Sequence, residues 1–330
     1  MKESIKNKCD LFLRNKETIK KEFKWEHDLM SISAAMVYSG AGKEADVNRI
    51  EECRKILEKN TGIFSSLRSE LKPVLACKMA LASDPMQYFQ DVKSVYEKLT
   101  KGSFSDSRYL VQAAISICDA GRVAAADDLI AKYKELFKKM SKEHPMITDS
   151  GDIVFAMLLT LTSKSVDMIV SEMETCYDYM KKELRIKVSG NEIQGLAEVL
   201  ALTDGDMEAK CNKVADLYHT FANHGTKYGK DYGEFASLGA LIDVEANSDA
   251  LVDEVLEVAD YLKSFKGFGS LSMNQQRRVM FAAMLVADSY ETNRTLLSSS
   301  TINSTVAAVI AEQVAIMVCI IAATTAATSN

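Results

Sequence analysis

Apolar residues recur along this chain at the spacing of helix faces. In DPMQYFQDVKSVYEKLTK, Val92, Val95, Tyr96 and Leu99 stand at i, i+3, i+4 and i+7, one stripe of an amphipathic helix. Asp84 and Pro85 open it: a carboxylate to cap the first free N–H groups, then a proline where no N–H partner is needed. Other runs, such as YLVQAAISICDA and IVFAMLLTL, are apolar on most sides and belong in the middle of a stack. The two kinds alternate, a charged-face helix followed by an apolar one.

Each pair is divided by a short joint carrying one apolar plug. The plugs are Phe23 (KEFKWEHD), Phe64 (TGIFSSLR), Phe104 (KGSFSDSR), Ile147 (HPMITDSG), Val188 (RIKVSGNE), Tyr228 (GTKYGKDY) and Phe268 (SFKGFGS). Their intervals are 41, 40, 43, 41, 40 and 40 residues, the period of helix-pair solenoids. Helices that precede two of the joints even match directly: Val214, Ala215, Asp216 and Phe221 against Val258, Ala259, Asp260 and Phe265. Beyond the plug, Ala113, Ala156, Ala197 and Ser237 are small and permit close approach of neighbouring helices. Ser65, Ser105, Thr148 and Ser189 offer side-chain oxygens to cap the following helix, and Gly269 stands in the same place. The Gly-x-Gly of KGFGS follows a helical pattern, whereas a phosphate loop needs a strand before it, so it reads as a joint.

The expected fold is therefore all-α. About seven helix pairs over residues 1–290 form a single repeat domain stacked as a curved solenoid, followed by a polar Ser/Thr-rich linker (291–303) and a C-terminal apolar helix (304–330). From Val306 to Ala323 only Glu312 and Gln313 are polar. That length approaches a membrane span, but the charge at its centre and the lack of basic flanks argue otherwise. Docking on the last repeat is ranked first, self-association into a homo-oligomer second and membrane entry third.

Composition narrows the function classes. Three prolines and 15 glycines in 330 residues suit long helices. A net charge of −6 excludes a general nucleic-acid binder, which needs a basic stripe. The first thirty residues hold no apolar h-region, so no secretory signal is expected. Seven cysteines without a C-x-x-C pair read as buried thiols in a reducing cytoplasm. His219 and His224 are five apart, on different faces of one helix, and no catalytic or nucleotide motif is present. Neither metal nor cofactor is expected.

One column invites a functional reading. Just past each plug stand His27, Arg68, Arg108, Gly151, Glu192, Tyr232 and Ser272. An arginine in a helix's first turn opposes the macrodipole, at about 0.3–1 kcal/mol. Either an acidic peptide, phosphate or carboxylate docks there, or Arg68 and Arg108 pair with a neighbour such as Glu70 or Asp106. His27, Arg68, Arg108 and Tyr232 are thus the candidate anion- or partner-binding residues.

The stretches FKWE, NTGIFSSLR, KGFGS and AEQVAIMVCIIAA resemble the uncharacterised bacterial family called domain of unknown function 4003, over nearly the whole chain. A Gly often follows the Arg of the FSxxR stretch in that family; here Ser69 does. The resemblance implies a cytoplasmic protein of Gram-positive bacteria with no assigned activity, and no functional residue is carried over. The expected function is a cytoplasmic helical-repeat scaffold for a protein or peptide partner. The alternative is an enzyme or small-molecule binder with a site inside the stack.

Overall fold

The computed structural model of the chain describes residues 1–63, 65–101, 107–290 and 313–321, and among these every regular element is helical. The charged-face helices are α1 (Glu3–Glu22), α3 (Val47–Asn60), α5 (Pro85–Thr100), α7 (Ala126–Glu143), α9 (Val166–Asp178), α11 (Met207–Asn223) and α13 (Ser248–Lys263). The apolar helices alternate with them: α2 (Asp28–Gly40), α4 (Lys72–Leu81), α6 (Ser107–Asp119), α8 (Ile153–Thr160), α10 (Gly190–Ala201), α12 (Tyr232–Ala236) and α14 (Gln275–Ser289). A further helix, α15, spans 313–321.

The alternation in hydropathy becomes an alternation in burial. All eight residues of α8 are buried, as are residues 29–39 of α2 and 278–287 of α14. The charged-face helices bury a single stripe instead. In α5 that stripe is Tyr88, Phe89, Val92, Val95 and Leu99, with Tyr96 only half-buried. Asp84 caps α5 through Gln87 N, with Pro85 at the first helical position as the sequence required. Asp46, Ser165, Asp206 and Asn247 cap α3, α9, α11 and α13 in the same way.

Two compact units result. One is built on Asp10–Ser163 and includes Ala315–Asn330; the other is built on Lys164–Leu296 and includes Met1–Cys9 and Thr305–Val314. In the first, α3, α5 and α7 lie side by side, α3 pairs with α4, α5 with α6 and α7 with α8, and α2 packs on α4 and α6 on α8. In the second, α9, α11 and α13 form the outer row, with α10, α12 and α14 inside it. There Lys2 pairs with Glu254 and Lys8 with Asp288, so the first residues of the chain pack on the last helix pair. Because every pair runs up and back beside the next, the joints of each unit gather at one end and the returns at the other.

At the return end a second device recurs. The last carbonyls of a buried helix have no intrahelical partner. Polar side chains on or just before the outer helices reach over to them. Asn15 Nδ2 donates to the Lys43 carbonyl (2.9 Å) and Arg49 Nη2 to that of Ala82 (2.6 Å). Lys132 Nζ donates to Thr160 (3.2 Å) and Thr162 (3.1 Å), and Lys213 Nζ to Val244 (2.9 Å). Lys164 holds Ala201 and Thr203, while Lys210 holds Leu200 and again Thr203. Burial pushes the pKa values of Lys132 and Lys210 down. In the α5–α6 pair the motif is a buried triad: Lys78 Nζ and Tyr88 Oη both donate to the Asp119 carboxylate, at 2.5 and 2.6 Å.

The joints follow the sequence reading in part. Phe23, Tyr228 and Phe268 are buried plugs, and Phe268 meets Phe281 edge to face at 6.4 Å. Ile147 and Val188 are only half-buried; in the latter joint Ile186 is the buried residue. Phe64, Phe104 and Ser105 lie outside the described residues. Ser65 caps a 3₁₀ turn at Leu67 N. Asp149, rather than Thr148, forms a capping box with Asp152, and Ser189 donates to Glu192 instead of accepting from the backbone. Gly269 caps nothing either: the joint runs on and Asn274 caps α14. The KGFGS stretch is a turn with Gly267 in the left-handed region (φ 91°), and Arg278 Nη1 clasps the Phe268 carbonyl at 2.9 Å. The small residues Ala113, Ala156, Ala197 and Ser237 are all buried.

The tail helix α15 is docked on its own chain. Residues 314–320 are buried, and Cys319 Sγ lies 2.9 Å from Ser33 Oγ of α2, the first apolar helix. Glu312 lies outside the described residues, but its neighbour Gln313 is buried. Deleting residues 304–330 should therefore uncover α2. The truncated protein is expected to bind a hydrophobic dye strongly and to melt well below the full chain, which stays soluble without detergent. A truncated form as stable as the full chain contradicts this. Lys132→Met tests the return-end device. Stranding two carbonyls should lower stability by about 1–3 kcal/mol in denaturant titration.

Candidate functional site

The Lys164–Leu296 unit concentrates buried charge where α10, α12 and α14 meet. In the run GLAEVLA, Glu198 is a fully buried acid in an otherwise apolar helix. Tyr232, at the first position of α12, donates its hydroxyl to Glu198 Oε2 at 2.6 Å. Gly195 makes that contact feasible, since a Cβ there would sit 2.5 Å from the Tyr232 ring. Gly239 admits Val199 Cγ1 in the same way, drawing the two helices together. Two residues on from Tyr232, Glu234 folds over Gly229 and reaches back to the Asp231 backbone N–H. Its Oε1 lies 4.0 Å from Arg277 Nε of α14. Beside it, Arg278 is 5% exposed and spends its Nη1 protons on the Phe268 and Met273 carbonyls.

Burial raises the Glu234 pKa, the nearby Asp231 charge adds to this, and Arg277 only partly opposes it. The consequence for stability follows from linkage. A carboxyl that binds its proton more tightly when folded makes the protein lose stability as pH rises from the ordinary carboxylate value to the raised one. Glu234→Gln removes that loss. It is expected to raise Tm at pH 7, with the gain vanishing below about pH 4, where both states are protonated in the wild type. A variant that is less stable at pH 7 would show instead that the Arg277 pair outweighs the burial cost.

The candidate residues from the sequence are placed as follows. His27 is the N-cap of α2, accepting from Leu29 N through Nδ1 at 3.2 Å. Arg68 is half-buried in a 3₁₀ turn and donates to the Glu58 carbonyl at 3.5 Å. Arg108 lies 3.6 Å from Glu70. These three belong to the Asp10–Ser163 unit; Tyr232 belongs to the other and serves the Glu198 pair. His224 bridges Asp249 and Asp253 of α13 at 3.0 Å each, and the Asp249 hydrogen bond raises its pKa. All seven cysteines are buried and unbridged, and Cys176 and Cys211 touch at 3.3 Å. Among the described residues no group of three or more His, Cys, Asp or Glu could hold a metal.

Sequence reasoning missed Glu198, Glu234, Arg277 and Arg278. A single acid inside GLAEVLA was the available signal. It also missed the exposed apolar side chains of the joints. Trp25 is 89% exposed, Ile63 71%, Met146 95% and Leu271 fully, each within a joint. Among the described residues the other exposed large apolar side chains reach at most 52%.

The sequence profile of a family described as "Protein of unknown function (DUF4003)" matches residues 15–315. A relative, the uncharacterized protein YeaA of Bacillus subtilis (strain 168), is 24% identical over 258 residues, covering 76% of this chain and 75% of its own. No solved structure matches.

Proposed function

The chain belongs to the DUF4003 family, a family of unknown function, and we propose from its own geometry that it is a binding scaffold. Its working surface is the joint end of the Asp10–Ser163 unit, and its partner is acidic. The observation that carries this reading is the set of apolar side chains standing out of that end, Trp25, Ile63 and Met146. A chain with a large buried core has no folding reason to expose them, and exposed apolar groups ringed by charge are the usual mark of an interaction site. Arg68 and Arg108 lie at the same end, Arg68 donating to the Glu58 carbonyl at 3.5 Å and Arg108 lying 3.6 Å from Glu70. A protein or peptide with acidic side chains fits such a surface, and helical stacks offer long faces of this kind.

A second reading rests on the Glu198–Tyr232 and Glu234–Arg277 pairs. A buried carboxyl with a raised pKa near a guanidinium, Glu234 with Arg277, and a second buried carboxyl bonded to a tyrosine, Glu198 with Tyr232, are the equipment of a proton-transfer enzyme. Small-molecule profiling of the pure protein against host metabolites, with Glu234→Gln as control, separates this reading from the first.

For the scaffold, the decisive comparison is Arg68→Ala combined with Arg108→Ala. Cross-linking and mass spectrometry in host extract should lose the acidic partner, while the circular dichroism spectrum is retained and the melting temperature falls only moderately, both arginines being half-buried. Lost stability with unchanged partners would make both arginines structural.

A further inference from the structure

The joint end of the Asp10–Ser163 unit has a charge pattern that net charge conceals. Its acids are largely consumed inside the protein. Glu22 and Glu58 are held by Arg54, Glu26 by Lys72, Asp28 by Lys20 and Glu70 by Arg108. Lys21, Lys59, Lys101 and Lys142 are exposed, and among the described residues no carboxylate stands within ion-pair distance of them. Lys24 is exposed too and lies over the Trp25 ring, 5.3 Å from its centre. Glu97, Glu143 and Asp149 are exposed acids at this end without an ion-pair partner among the described residues, Asp149 accepting from the Gly151 backbone N–H. A chain of net charge −6 thus turns outward, here, a surface of free lysines.

The apolar tips sit among those lysines, Trp25 beside Lys21 and Lys24, Ile63 after Lys59, and Met146 after Lys142. They come from the first, second and fourth joints. Neighbouring helices stand about 8–10 Å apart, so the tips are separated rather than merged into one patch. A protein partner would need a matching pocket for each protruding side chain. A bilayer needs none: every tip enters the headgroup region independently, and the lysine ammoniums remain at the phosphate level. Tryptophan backed by lysine is the composition favoured at that boundary. Among the described residues no helix is long and apolar enough to cross a membrane, so the contact would be at the surface.

We propose that this end docks on the surface of an anionic phospholipid bilayer, with Trp25, Ile63 and Met146 inserted and Lys21, Lys24, Lys59, Lys101 and Lys142 facing the headgroups. The proposal rests on the scaffold reading's choice of surface and gives that surface an anionic bilayer in place of an acidic protein. The sequence reading, which ranked membrane entry third, had weighed only the C-terminal helix as a span.

Trp25 is the only tryptophan of the chain, so its fluorescence reports on the site itself. Full-length protein is mixed with vesicles of phosphatidylglycerol and phosphatidylcholine, and with vesicles of phosphatidylcholine alone. The expected result is a blue shift and co-sedimentation with the anionic vesicles only, reversed by high salt, with quenching of Trp25 by brominated acyl chains. Each of Lys21→Glu, Lys24→Glu and Lys59→Glu should weaken binding by at least about fivefold. Ile63→Ser with Met146→Ser should weaken it further without altering the circular dichroism spectrum, since both residues are exposed. Absence of a shift with anionic vesicles overturns the proposal. If poly-glutamate binds and vesicles do not, the lipid assignment falls while the scaffold reading stands. Binding that survives all five substitutions places the contact elsewhere and overturns the proposal as well.

Discussion

Burying a whole row of helices leaves their last carbonyls stranded, and the fold depends on how those carbonyls are answered. A helix such as α8, apolar on every side, packs well but ends without water to solvate its C-terminus. The outer helices supply the missing donors. Asn15, Arg49, Lys132, Lys164, Lys210 and Lys213 each lay a side chain across a return, so the same residues that make one helix face polar also finish its neighbour. The cation sits at the negative end of the helix dipole, which strengthens the bond further. Hydrophobic burial and capping are thus met together in five of the pairs, while the α5–α6 pair uses the Lys78–Tyr88–Asp119 triad instead.

The same economy explains where charge is free. At the returns, cations are buried against carbonyls and held. At the joints of the Asp10–Ser163 unit, acids are held by arginines and lysines from neighbouring elements, and the lysines left over point outward. In the other unit, the charges turn inward: Glu198, Glu234 and Arg278 are all nearly excluded from solvent, and Gly229 makes room for Glu234 while Gly195 admits the Tyr232 ring that bonds Glu198. Arg278 is a structural clasp on the Phe268 joint, which is why the Gly-x-Gly there is held by protein rather than by phosphate.

Much of this was written in the residues. Period-forty joints, the Asp84–Pro85 helix start and the contrast between IVFAMLLTL and its charged neighbours determined an all-helical, paired architecture, because helix periodicity and capping are local properties. The buried small residues Ala113, Ala156, Ala197 and Ser237 were legible for the same reason. What the residues alone could not settle was partnership across distance. That Lys132 answers Thr160, that Tyr232 reaches Glu198, that Cys319 touches Ser33 of α2, and that Asp149 rather than Thr148 caps its turn depend on which helices become neighbours. Exposure of Trp25, Ile63 and Met146 was hidden likewise, since an apolar residue in a joint can plug it or stand clear of it. Local chemistry chose the helices; only packing decided which side chains would be enclosed and which would face outward, because burial is a property of neighbours and not of sequence position.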